Sequence, residues 1–183
     1  MRKRWPDDFI RTHTSMRTRI PARKTRLMHI RATLETTFDR HLHMSYKINF
    51  NESIPDMIVR LEKEHRYFRA ELDRSANLLE NNQNDAIGIL SNLSQKIIQH
   101  AVEEEARLVR IIMEKAKAES EQSIHVMQEH NYVVDFIKHN LPELHKLQIT
   151  DARNEVTKFV KALKEHFVEE EEIVFPLASR LAA

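Results

Sequence analysis

Six side chains stand out as able to do chemistry together: His65, His100, Glu104, His130, His166 and Glu170. Each of the four histidines falls where an apolar helical stripe is interrupted. The stripe steps from Leu61 to Phe68 through His65, and from Ile97 to Leu108 through His100 and Glu104. It steps from Met127 to Val134 through His130, and from Leu163 to Ile173 through His166 and Glu170. A helix turns about 100° per residue, so His-x-x-x-Glu sets both groups on one face, one turn apart. That spacing occurs at His100/Glu104 and again at His166/Glu170, in alternate helices. An unpaired buried carboxylate is expensive even after relaxation. Two of them among four imidazoles need compensating positive charge, and a pair of metal ions supplies it.

The plainer explanation is that a single histidine on an apolar stripe is usually an ordinary core histidine, and a single His-x-x-x-Glu a common surface pair. What argues against it is concurrence. There is one such histidine per helix, the Glu offset repeats, and near-equal intervals separate the four histidines. At a rise of about 1.5 Å per residue those intervals bring all six groups to one level of a bundle. The other histidines do not share that face. His125 and His139 point away from His130, His145 follows Pro142, and His13, His29, His41 and His43 lie near the N-terminus. Apart from Glu104 and Glu170, the acidic runs 103–105 and 169–172 read as solvated faces.

These groups need helices to position them, and the composition supplies helices. The 183 residues include one Gly, five Pro and no Cys, with 41% hydrophobic residues. So few turn formers among so many Leu, Ile, Glu, Lys and Ala residues imply a nearly all-helical chain. The absence of Cys excludes disulfides, thiolate zinc sites, iron–sulfur clusters and Cys nucleophiles, and fits a cytoplasmic setting. No apolar run approaches the roughly 20 residues that span a membrane. Basic residues dominate 1–43 and acidic ones 44–183, so the body has no basic face for nucleic acid. The basic N-terminal extension, 1–43, is read in three ways: a disordered tail, an Arg-rich targeting segment, or sequence upstream of a start at Met44. The sharp change of composition at Met44 favours the last.

The first helix opens with Ser53 as cap and Pro55 in the first turn, and carries Ile54, Ile58, Leu61, Phe68, Leu72 and Leu79. After the polar turn 81–84, Asp85 is the expected cap of a second helix with Ile87, Leu90, Leu93, Ile97, Leu108 and Ile111. A third helix carries Ile124, Met127, Val134, Ile137 and Leu141 and stops near Pro142. A fourth starts near Thr150 and Asp151, carries Val156, Phe159, Leu163, Phe167, Ile173 and Val174, and ends near Pro176. Four amphipathic helices with mostly short connections predict an all-α, up-down-up-down antiparallel four-helix bundle.

His65, His100-Ala-Val-Glu-Glu-Glu, His130 and His166-Phe-Val-Glu-Glu-Glu-Glu-Ile-Val-Phe-Pro resemble the hemerythrin-like (HHE cation-binding) domain family over roughly 50–181. The resemblance implies a cofactor of two iron ions in an oxo-bridged di-iron centre. His65 and His100 would hold one iron, His130 and His166 the other, and Glu104 and Glu170 would bridge them. The ligand types suit iron, with manganese or zinc possible. Oxygen-carrying members have a further histidine where Val134 stands, and their last carboxylate is an Asp five residues after its His. Here Glu170 is at four, with Glu171 as an alternative. The four-His, two-Glu set is more similar to di-iron proteins of nitric oxide stress and iron-centre repair. The implied partner is a small diatomic or peroxide ligand: dioxygen, nitric oxide or peroxide. The alternative function is a non-catalytic module for iron storage, delivery or sensing. Phe68, Phe159 and Phe167 are candidates for a dry wall around the site.

Overall fold

The computed structural model describes residues 46–116 and 120–183. The extension 1–43 and the Ile124 side chain lie outside the described residues. Residues Tyr46–Ala183 form one compact unit. Every regular element described is helical, and no strand occurs among the described residues. None of these helices is long and apolar enough to cross a membrane.

The first rod is α1, Ile54–Leu78, and its start is as expected. Ser53 Oγ accepts from the Asp56 N–H at 3.2 Å and donates to the Asp56 carboxylate at 2.6 Å, with Pro55 in the first turn. Replacing Ser53 with Ala should cost about 1 kcal/mol, read as a lower midpoint in urea unfolding with an unchanged slope. The second rod runs from α2, Gln83–Glu104, through a π-helical turn, Glu105–Val109, into α3, Arg110–Lys115. Its cap is Asn82, not Asp85. Asn82 Oδ1 accepts from the Asp85 N–H at 3.2 Å, and its amide donates to Asp85 Oδ2 at 2.6 Å. Asp85 therefore closes the cap from the third helical position, where its charge also suits the helix dipole.

The third rod is α4, Ser120–Asp135, a π turn, Phe136–Asn140, and a 3₁₀ segment, Leu141–Lys146. The fourth is α5, Ile149–Glu169, a π turn, Glu170–Val174, and α6, Phe175–Ala182. Neither proline stops its rod. Pro142 and Pro176 each lie in the first turn of the segment that follows a π turn. A proline ring crowds the carbonyl four residues back and offers no N–H to it, and a wider turn relieves both problems. No proline accounts for the π turn after Glu104.

The π turns also change which residues face inward. Leu108 and Val109 are buried in the first, Phe136 and Ile137 in the second, and Val174 at the end of the third, followed by Phe175 at the start of α6. Ile173, expected on the stripe, is 39% exposed, while Phe175 and Leu177 are buried. In α4 the buried face is Val126, His130 and Val133, continued by Ile137 in the π turn, with Met127 and Val134 half-buried beside it. In α1, Met57 is buried and Ile58 half-buried.

The core is two apolar clusters. One holds Phe68, Leu72, Leu90, Ile97, Phe136, Phe159 and their neighbours. The other holds Ile54, Met57, Leu61, Leu108, Ile112, Val126, Phe175 and Leu177. Each of the four histidines lies in sequence between a member of one cluster and a member of the other. The six polar groups thus form a layer sandwiched between two dry ones.

Candidate metal centre

The structure brings together all six expected residues. His65, Glu170, His100, Glu104, His130 and His166 are each at least 97% buried. Their ligand atoms fall into two overlapping groups. One is His65, His100, Glu104 and Glu170; the other is Glu104, His130, His166 and Glu170. Within each, the ligand atoms lie within 4.8 Å of one another.

The carboxylates are shared oxygen by oxygen. Glu104 turns Oε1 toward His100 Nε2 at 3.3 Å and Oε2 toward His130 Nε2 at 3.4 Å. Glu170 turns Oε2 toward His65 Nε2 at 3.3 Å, and Oε1 toward His130 at 3.3 Å and His166 at 3.0 Å. The His65 and His100 Nε2 atoms are 2.8 Å apart. All four rings therefore present Nε2 inward.

Each Nδ1 meets a further carboxylate. Glu171 lies 2.9 Å from His65, Glu64 2.7 Å from His100, Glu105 3.0 Å from His130 and Glu129 2.8 Å from His166. Every one of these glutamates is the sequence neighbour of one of the inner six. Their partner is always on a different rod, and the four links run in a closed circle, first to second to third to fourth to first. A carboxylate at Nδ1 fixes the tautomer that leaves the Nε2 lone pair free, the arrangement typical of metal-bound imidazole. Glu171 is thus an outer partner of His65, and Glu170 is the inward carboxylate. The sequence reading missed this ring because Glu105 and Glu171 sit in runs that look like solvated acid faces, and Glu64 and Glu129 look like single surface acids. Adjacency to the six was the available signal.

In the metal-free protein, protons take the place of cations. Burial pushes the His100 imidazole down, but Glu104 above all, with Glu64 and Glu170, outweighs it and raises it to about 10. Burial likewise opposes His166, yet Glu170 and Glu129 lift it to about 9. His130 is raised well above its usual range against burial by Glu104, Glu105 and Glu170. Burial would raise Glu170, but His166, His130 and His65 hold it well below the carboxylate range.

The donor set fits metal. Both oxygens of Glu104 and Oε2 of Glu170 are buried without a hydrogen-bond partner. Such orphaned atoms are rare and costly in a folded core, and a cation between the rings would satisfy them.

Phe167 stacks on His65 with ring centroids 4.2 Å apart, and Phe68 meets His100 edge-on at 5.4 Å. Phe159 instead stacks on Phe136 at 3.9 Å, inside the neighbouring apolar cluster. Phe175, not anticipated, lies 5.5 Å from His65. His125 sits outside the ring, 3.3 Å from Glu169 and 3.6 Å from Glu129. His139 and His145 are exposed.

An all-helical unit with a buried His/Glu layer between apolar clusters defines a helical cation-binding protein. The model of the hemerythrin HHE cation binding domain matches residues 56–178, and the chain belongs to that family. No curated protein and no solved structure matches it.

Proposed function

We propose that this chain is a non-heme di-iron protein that binds or reacts with a small oxidant: dioxygen, nitric oxide or peroxide. In this reading His65 and His100 hold one iron, His130 and His166 the second, and Glu104 and Glu170 bridge them. The observation that carries it is the division of each buried carboxylate between the two histidine pairs, with three of those oxygens otherwise unpartnered. The rods are proposed to run up-down-up-down. Supporting this, Arg60 meets Glu103 while Ser75 meets Ala86, and Lys115 reaches the Leu181 carbonyl at the opposite end.

The chain's own part is preorganisation. The outer glutamates hold each Nδ1–H, so the rings need little reorientation when a cation arrives. Phe167, Phe68 and Phe175 keep water from the His65/His100 side. Bound iron would supply the redox change and open coordination positions for the oxidant. The role is proposed in sensing, stress response or iron-centre repair, with no nucleic acid or membrane as partner.

The test is iron per chain and electronic absorption of aerobically purified protein, then stopped-flow mixing of the reduced form with dioxygen, nitric oxide and hydrogen peroxide. Two irons per chain and a fast spectral change with one of the three are expected. A loaded centre inert to all three would favour a passive module for iron storage, delivery or sensing. Well under two metals per chain after iron reconstitution would defeat both.

A further inference from the structure

The ring of outer carboxylates is not evenly neutralised. Beside His65 and His100, the two outer glutamates have arginine partners. Arg69 donates to Glu171 at 2.9 Å and Arg60 to Glu64 at 2.9 Å. Arg60 is shared with Glu52 at 2.8 Å and Glu103 at 2.6 Å, and Arg107 adds a second cation there by donating to the Glu52 carbonyl at 2.7 Å. Three arginines thus face four carboxylates on this side.

Beside His130 and His166 the balance differs. Among the described residues neither Glu105 nor Glu129 has a Lys or Arg partner. Glu129 is also 8% exposed, so solvent screens it weakly. Glu169 stands close by, and among the described residues, apart from the ligand His166, the half-exposed His125 is the basic group that meets Glu129 and Glu169. The inner ligands do not create this difference, because each position has two imidazoles and one oxygen from each shared carboxylate.

We propose that the two metal positions are electrostatically unequal, and that the first divalent cation to bind takes the one formed by His130 and His166. The inference rests on the two-cation reading above. The outer glutamates act here as positioning and charge-setting residues. In a partly desolvated site, unit charges several ångströms away outweigh small differences in ligand geometry.

Zinc is the probe, since it has no redox chemistry and accepts these ligands. The full chain, labelled with ¹⁵N at histidine, is titrated with Zn(II) from zero to two equivalents. The imidazole nitrogens are followed by long-range ¹H–¹⁵N spectra, assigned with single His→Gln variants. The His130 and His166 rings should reach their zinc-bound positions first, with a preference of about fivefold over His65 and His100. Prior movement of His65 and His100, or parallel movement of all four, would overturn the proposal. If no ring responds, the two-cation reading itself fails.

The cause is tested by the E105Q/E129Q double variant. Gln keeps an oxygen to accept each Nδ1–H but removes the charge, so the order should vanish while both positions still fill. Persistence of the order in that variant would overturn the assignment to these glutamates. Separately, Arg60→Met with Arg69→Met should strengthen the His65/His100 position and narrow the gap.

Discussion

Glu170→Gln should empty the centre and weaken the fold together. The substitution is nearly isosteric, so its effect is almost wholly electrical. Glu170 lies at the first residue of a π turn, fully buried, with its two oxygens divided among His65, His130 and His166. Its carboxylate is the charge that keeps those imidazoles inside the core, as cation ligands or as protonated partners. Without it, each position loses one of its anionic oxygens, and on the proposed two-cation reading the metal retained through gel filtration should fall from two ions per chain to well below one. In the metal-free protein, taking one partner from a buried ion network costs about 3–5 kcal/mol. Part of that returns if the histidines shed their protons. The check is metal content and urea unfolding of E170Q beside E172Q. Glu172 is exposed, two positions along the same acidic run. E172Q should match the parent in both. Equal metal content in E170Q and the parent would remove Glu170 from the ligand set.

The second large effect is an alkaline instability confined to the metal-free protein. His100 and His166 titrate near 10 and 9 when folded, and His130 also lies well above its usual range. Unfolded histidine titrates near 6.5. A group whose folded pKa exceeds its unfolded value adds stability that is complete below about 6.5 and disappears as pH rises through the folded value. These three therefore withdraw stability between neutrality and about pH 10. Glu170 works in the opposite direction. Its depressed pKa adds stability above the unfolded carboxyl range, which is lost in acid. Chelator-treated protein should thus be most stable between about pH 5 and 7 and lose several kcal/mol by pH 9.5.

Metal reverses the alkaline limb, because cations replace the protons and their affinity grows as the protons leave. Affinity should therefore keep rising well past neutrality, not level off above the ordinary histidine range. Thermal melts at pH 6.5 and 9.5, with and without metal, test both halves. A flat melting temperature in the metal-free protein would show that these histidines are not held by the carboxylates.

Much of the site was legible because it is built from local repeats. His100/Glu104 and His166/Glu170 are each set by one helical turn. The four histidines show as polar gaps in otherwise apolar faces, and that needs no knowledge of the neighbouring helices. The family motifs sharpened the same positions. The weaker expectations were those that assumed one uniform helical period. Ile173 was placed on the stripe and is exposed, while Phe175 was missed and stacks near His65. Both errors come from the π turn that begins at Glu170, which shifts the inward face by one residue. Val126 and Val133 similarly displaced Met127 and Val134 on α4, where near-equivalent apolar neighbours leave the exact face to packing.

By itself the sequence determined the helical class, the buried polar layer and the six groups in it, since spacing along one helix dictates what shares a face. Only the tertiary structure decided which acid in each run points inward, how each carboxylate divides its oxygens, and which arginines reach the outer ring. Those depend on where side chains from different rods meet. The contacts between Glu171 and His65, or Glu129 and His166, span sequence separations of 106 and 37 residues, and no local pattern records them.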